Sequence, residues 1–94
     1  MSPWTFITPH GAVLALIGQQ HQITAREIAD NLGITERYVR TIIKDLSDDG
    51  YIVRKKVGRL NHYTVNEEAP LRRDDAKHAP VGELLNVLRQ FRDE

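Results

Sequence analysis

Apolar positions along the chain fall into four helical stripes, with two short β-prone runs between the third and the fourth. Thr8-Pro9 suits the opening of a first helix. The threonine hydroxyl can cap it, and proline lacks an N–H that the first turn would leave unbonded anyway. Val13, Leu14 and Ile17 then share one face, and Gly18 with the polar stretch 19–22 predicts the stop near Gly18. Thr24-Ala25-Arg26-Glu27 is a capping box, in which each end side chain satisfies the other's backbone N–H. It opens a second helix with Ala25, Ile28, Ala29 and Leu32 at helical spacing, ended by Gly33. Ile34 returns the chain to the core, and Thr35 caps a third helix. Its stripe is Val39, Ile42, Ile43 and Leu46, broken by Asp48-Asp49-Gly50.

Tyr51-Ile52-Val53 and Tyr63-Thr64-Val65 are β-prone, and Val57-Gly58-Arg59 between them supplies a turn, so this stretch predicts a hairpin with a charged tip. Residues 66–80 are polar, mixed in charge and interrupted by Pro70 and Pro80, which predicts an extended or partly mobile linker. Pro80 opens a last helix whose Val81, Leu84, Leu85, Leu88 and Phe91 again follow helical spacing. The expected fold is mostly α with a small β-hairpin (α+β): a winged helix-turn-helix of three core helices plus wing, followed by a C-terminal amphipathic helix. Its divisions are residues 1–66 for the winged domain, 67–80 for the linker and 81–94 for the last helix.

A length of 94 residues with 40% hydrophobic content fits one core. No apolar run approaches the roughly 18 residues that span a bilayer, and no basic segment leads into a hydrophobic stretch at the N-terminus, which predicts a cytoplasmic protein. The absence of cysteine removes disulfides and thiolate chemistry. His10, His21, His62 and His78 stand far apart without a ligand-pair spacing, so neither a metal site nor a cofactor is expected. Nor is an enzyme: Asp48-Asp49, Glu67-Glu68 and Asp74-Asp75 are adjacent pairs whose side chains point apart, and no nucleophile with its base or phosphate loop accompanies them. Tyr51, Tyr63 and Trp4 read as packing residues rather than the lining of a ligand pocket.

The formal net charge is zero, but its distribution is uneven. Between Thr35 and Tyr63 lie seven basic residues against four acidic ones, and between Gly50 and Val65 there is no acid at all. A local positive surface on a neutral protein follows. Projected at about 100° per residue, Arg37, Thr41 and Lys44 fall opposite the third helix's apolar stripe, with Arg40 on its flank. Guanidinium pairs bidentately with guanine, while lysine and threonine contact phosphates or bases, so this face has the chemistry of a major-groove reader. A capped helix, a turn at Gly33 and a second capped helix with outward cations form a helix-turn-helix. Arg54, Lys55, Lys56 and Arg59 cluster near the hairpin tip, and Asn61 and His62 add donors suited to phosphates or the minor groove. Asp48 and Asp49 would repel DNA and are expected to point away from it.

The stretches Ile28-Ala29 through Ile34-Thr35-Glu36-Arg37-Tyr38-Val39, Leu46-Ser47-Asp48-Asp49-Gly50-Tyr51-Ile52 and Val57-Gly58-Arg59-Leu60-Asn61-His62-Tyr63-Thr64-Val65-Asn66 resemble bacterial winged helix-turn-helix transcriptional regulators of the MarR-like type. The resemblance covers roughly residues 8 to 66. It implies that the third helix is the recognition helix and the hairpin the wing. Thr35, Arg37, Tyr38, Arg40, Thr41 and Lys44 would then face DNA, with Arg54, Lys55, Lys56, Arg59, Asn61 and His62 on the wing. The chain is shorter than full-length regulators of that type and lacks their long flanking helices. Its last helix admits two readings: folding back on helix one and Trp4, or pairing with its copy in a homodimer that sets two recognition helices about 34 Å apart. The dimer is the favoured expectation. The competing function is a protein-interaction module, since winged helices serve in larger assemblies too.

Overall fold

The computed structural model describes residues 5–71 and 79–89; Trp4, His78 and Phe91 lie outside them, together with what the sequence led us to expect of each. Six elements follow in order: α1 (Pro9–Gln19), α2 (Ala25–Leu32), α3 (Glu36–Asp48), β1 (Ile52–Val57), β2 (Leu60–Val65) and α4 (Val81–Arg89). The expected α+β fold is the one observed, with helices and a two-stranded antiparallel hairpin.

Each of the first three helices begins where a threonine can satisfy an orphan N–H. The Thr8 hydroxyl accepts from Gly11 N–H at 3.3 Å, Thr24 from Glu27 N–H at 3.1 Å and Thr35 from Tyr38 N–H at 3.0 Å. The Glu27 carboxylate closes the capping box on the Thr24 N–H at 2.9 Å. α1 runs one residue past Gly18, because Gln20 N–H still finds the Leu16 carbonyl at 2.9 Å. α2 closes at Gly33 (φ 69°), and both the Gly33 and Ile34 N–H groups bond the Ala29 carbonyl.

The stripes meet in one core. Val13, Leu14, Leu16 and Ile17 of α1 pack with Ile28 and Ala29 of α2 and with Val39, Ile42, Ile43 and Leu46 of α3. Ile23, Tyr51, Ile52 and Tyr63 close it from the hairpin side, and no buried polar or charged residue interrupts it among the described residues. Each fully buried aliphatic side chain stabilises the fold by about 1.5–3 kcal/mol relative to exposure. Tyr51 and Tyr63 are therefore packing residues, and the Tyr51 hydroxyl donates to the Pro70 carbonyl at 2.6 Å.

The strands extend well beyond the β-prone triplets. Pairing runs from Ile52↔Val65 through Arg54↔Tyr63 and Lys55↔His62 to Val57↔Leu60. Gly58 (φ 64°) then turns the chain at the first of the two central loop positions, the pattern of a type II′ hairpin turn. Alternation across this register puts Ile52, Tyr63 and Val65 on the core side of the base and continues that side into Arg54, Lys56 and Asn61 at the tip. The opposite side carries Val53, Val57 and Leu60, which are 64%, 52% and 46% exposed.

The start of the expected linker is docked on the N-terminal end of α4. Val81 N–H bonds the Ala69 carbonyl at 2.7 Å, Gly82 N–H the Glu67 carbonyl at 2.8 Å and Leu71 N–H the Ala79 carbonyl at 2.8 Å. A Cβ on Gly82 would stand 2.9 Å from the Glu67 carbonyl oxygen and 2.7 Å from the Glu67 Cβ, so only glycine permits this approach. α4 thereby folds back on α1. Val81 and Leu85, expected in a dimer interface, are buried in the chain's own core, which removes them from any surface offered to a second copy. Leu84 and Leu88 are half-buried, and Val87 is exposed.

Candidate nucleic-acid interface

α3 turns its apolar stripe inward, which leaves Arg37, Tyr38, Arg40, Thr41 and Lys44 exposed on its outer surface. The side chains are not equally available. The Thr41 hydroxyl donates back to the Arg37 carbonyl at 3.3 Å, and Thr35 is occupied as the helix cap. Arg40 pairs with Glu36, and Lys44 Nζ pairs with Asp48 Oδ2 at 2.7 Å, both one turn apart along the helix. The Asp48 carboxylate, first by this hydrogen bond and then by its charge, holds the Lys44 ammonium above the ordinary lysine value of 10.5. Arg37 has no ion-pair partner among the described residues.

On the hairpin, Arg54, Lys55, Lys56 and Arg59 are exposed and likewise unpaired with acids among the described residues. The register divides them. Arg54, Lys56 and Asn61 share the side that continues from the core, while Lys55 and His62 face the other way.

α3 and the hairpin bound one open groove of about 620 Å³, into which Arg40, Lys44 and Asp48 project from the helix and Arg54, Arg59 and Asn61 from the wing. Thr24 and Ala25, at the start of α2, complete its wall with Ser47 of α3. Four cations against one carboxylate make it electropositive, the charge pattern suited to a phosphate backbone. Asp48 therefore does not point away from this surface as expected. It lies four residues beyond Lys44 and shares its helix face, a relation readable from spacing alone. Asp49 lines a separate cleft between α1, the end of α3 and α4. Ser47, three residues past Lys44, and the Thr24-Ala25 corner escaped the sequence reading. Ser47 had a spacing signal, whereas the corner depends on how α2 crosses α3.

His62 departs from the rest of the predicted wing set: it lies half-buried in a different recess, its ring 5.5 Å from that of His21. No helix among the described residues is long and apolar enough to cross a membrane.

Comparison with known proteins fits this geometry. The chain is 34% identical over 67 residues to the "Uncharacterized protein MJ1254" of Methanocaldococcus jannaschii, a match covering 70% of this chain and 14% of that relative's length. The family described as HTH domain matches residues 12–64, from within α1 to the end of the hairpin. A capped helix, the turn at Gly33, a second capped helix with an exposed basic face and a basic hairpin behind it are thus the parts of one recognised unit: the chain belongs to the HTH domain family, a family of helix-turn-helix DNA-binding domains.

Proposed function

We propose that this chain is a MarR-like transcriptional regulator that binds duplex DNA sequence-specifically, with α3 in the major groove and the hairpin on the backbone or minor groove. The observation that carries the reading is the shared groove, where cations from α3 and from the wing converge around a single carboxylate. Arg37, Arg40, Thr41 and Lys44 read bases, with Tyr38 beside them and Thr35 at the cap. Arg54, Lys56, Arg59 and Asn61 engage phosphates from the groove side, and Lys55 and His62 contribute from the far side. Binding by Arg40 and Lys44 exchanges their carboxylate partners for DNA, so part of each cation's attraction to phosphate is offset. Function here needs no catalytic step, and the protein acts in the cytoplasm as a homodimer through the surface that α4 leaves uncovered, the exposed Val87 and the half-buried Leu84 and Leu88, together with Phe91 of the same sequence stripe. Two copies double the area and the phosphate contacts available on a palindromic site.

A second reading, a protein-interaction module within a larger assembly, draws support from the exposed Val53, Val57 and Leu60 on the wing's outer side. Selection of bound fragments from a random duplex library at roughly physiological salt separates the two. Enrichment of one motif is the expected result, and an inverted repeat within it reports the dimer. Binding without enrichment that vanishes as salt rises overturns the regulator reading. So do Arg37→Ala and Lys55→Ala variants that both retain full DNA affinity.

A further inference from the structure

Two histidines 41 residues apart in sequence meet at the base of the wing. His21 sits in the connector between α1 and α2, and His62 in β2. The backbone brings them together: Tyr63 N–H donates to the His21 carbonyl at 2.8 Å. On the same residue pair, His21 Nδ1 lies 3.1 Å from the Tyr63 carbonyl. A carbonyl only accepts, so Nδ1 carries the proton and the neutral ring presents its lone pair at Nε2. An N–H anchored on a backbone carbonyl is the arrangement that orients a metal-ligating imidazole and fixes its tautomer. The His62 ring has no hydrogen-bond partner among the described residues, and its centroid is 5.5 Å from that of His21, with the planes inclined at 33°.

We propose that His21 and His62 form a two-imidazole site for a divalent transition-metal ion. A metal about 2.0–2.1 Å from each ligating nitrogen lies about 3.2 Å from each ring centre, and at a tetrahedral angle two such rings stand about 5.2 Å apart. The observed 5.5 Å is close to this separation. Both rings open onto one recess, whose remaining wall includes Gln20, Gln22 and Glu27. No group of three or more His, Asp or Glu side chains in a metal-holding arrangement occurs among the described residues, so the two rings act alone and water completes the coordination. Such a two-imidazole site favours Cu²⁺ over Ni²⁺ and Zn²⁺. The bound ion staples the base of the wing to the connector that precedes α2, independently of any DNA.

The test is calorimetric titration of the metal-free chain, without DNA, with Ni²⁺ and with Cu²⁺, paired with thermal unfolding. The expected result is one equivalent bound, a raised Tm, and an affinity that falls as protons compete with the metal for the ring nitrogens. His62→Ala and the bulkier His62→Gln, each shown to be folded by circular dichroism, lower the affinity at least tenfold. His10→Ala, at the opposite end of α1 beside Asp45, leaves it unchanged. Absence of saturable binding at one equivalent, or full affinity in both His62 variants, overturns the proposal and reduces the pair to ring packing.

Discussion

Replacing Leu85 by alanine separates a helix that belongs to this domain's own core from one reserved for a second copy. Leu85 is 2% exposed and packs with the core cluster through α4's contact with α1. The substitution removes three carbons, a transfer loss of about 2.4 kcal/mol at about 0.8 kcal/mol per group. The cavity adds to this, since α4 is held at its N-terminal end by the Val81 and Gly82 hydrogen bonds and collapses only partly into the space. A total near 3 kcal/mol is expected, against an overall stability of about 5–14 kcal/mol for a domain of this size. The variant therefore stays folded at 25 °C but melts about 12–24 °C lower. Thermal denaturation followed by circular dichroism, at two protein concentrations a hundredfold apart, is the assay. The expected Tm drop is the same at both. A drop below about 4 °C, or one that disappears at the higher concentration, would refute the assignment of Leu85 to the intramolecular core. Leu84→Ala, at a half-buried position, serves as the comparison and is expected to cost less than about 1 kcal/mol.

Further outcomes follow from the groove and from the α4 junction. Asp48→Asn removes the one carboxylate in the groove and frees Lys44, so DNA affinity measured by fluorescence anisotropy rises severalfold; a loss of affinity in the folded variant contradicts the placement of Asp48. Arg37→Ala costs about 1–3 kcal/mol on the selected sequence and relaxes preference at one base position, which binding to single-base variants of the site reads directly. Lys55→Ala weakens all sequences alike and lowers the slope of log affinity against log salt by about 0.9. Gly82→Ala places a methyl group against the Glu67 backbone, so amide exchange in α4 and in residues 66–71 accelerates, while the α2–α3 unit keeps its protection.

The sequence by itself determined the local elements. Three threonine caps, the capping box at Thr24 and Glu27, the glycines at positions 33 and 58, and the apolar stripes of α1 to α3 each rest on interactions within a turn or two of chain, and such interactions are written in spacing. Spacing also held more than was drawn from it: Asp48 shares the Lys44 face because the two are four residues apart. The hairpin's length was less legible. From Arg54 to Asn61 both sides of the strands meet solvent, so pairing continues without any apolar alternation to announce it. Only the tertiary structure decided that residues 67–71 are docked, that α4 turns Val81 and Leu85 onto its own α1, and that a wall from α2 completes the groove. It alone brought His21 beside His62. An amphipathic stripe states that a face must be covered but not by which chain. A histidine's neighbours across 41 residues depend on the backbone bonds between the connector and β2, which no local pattern encodes.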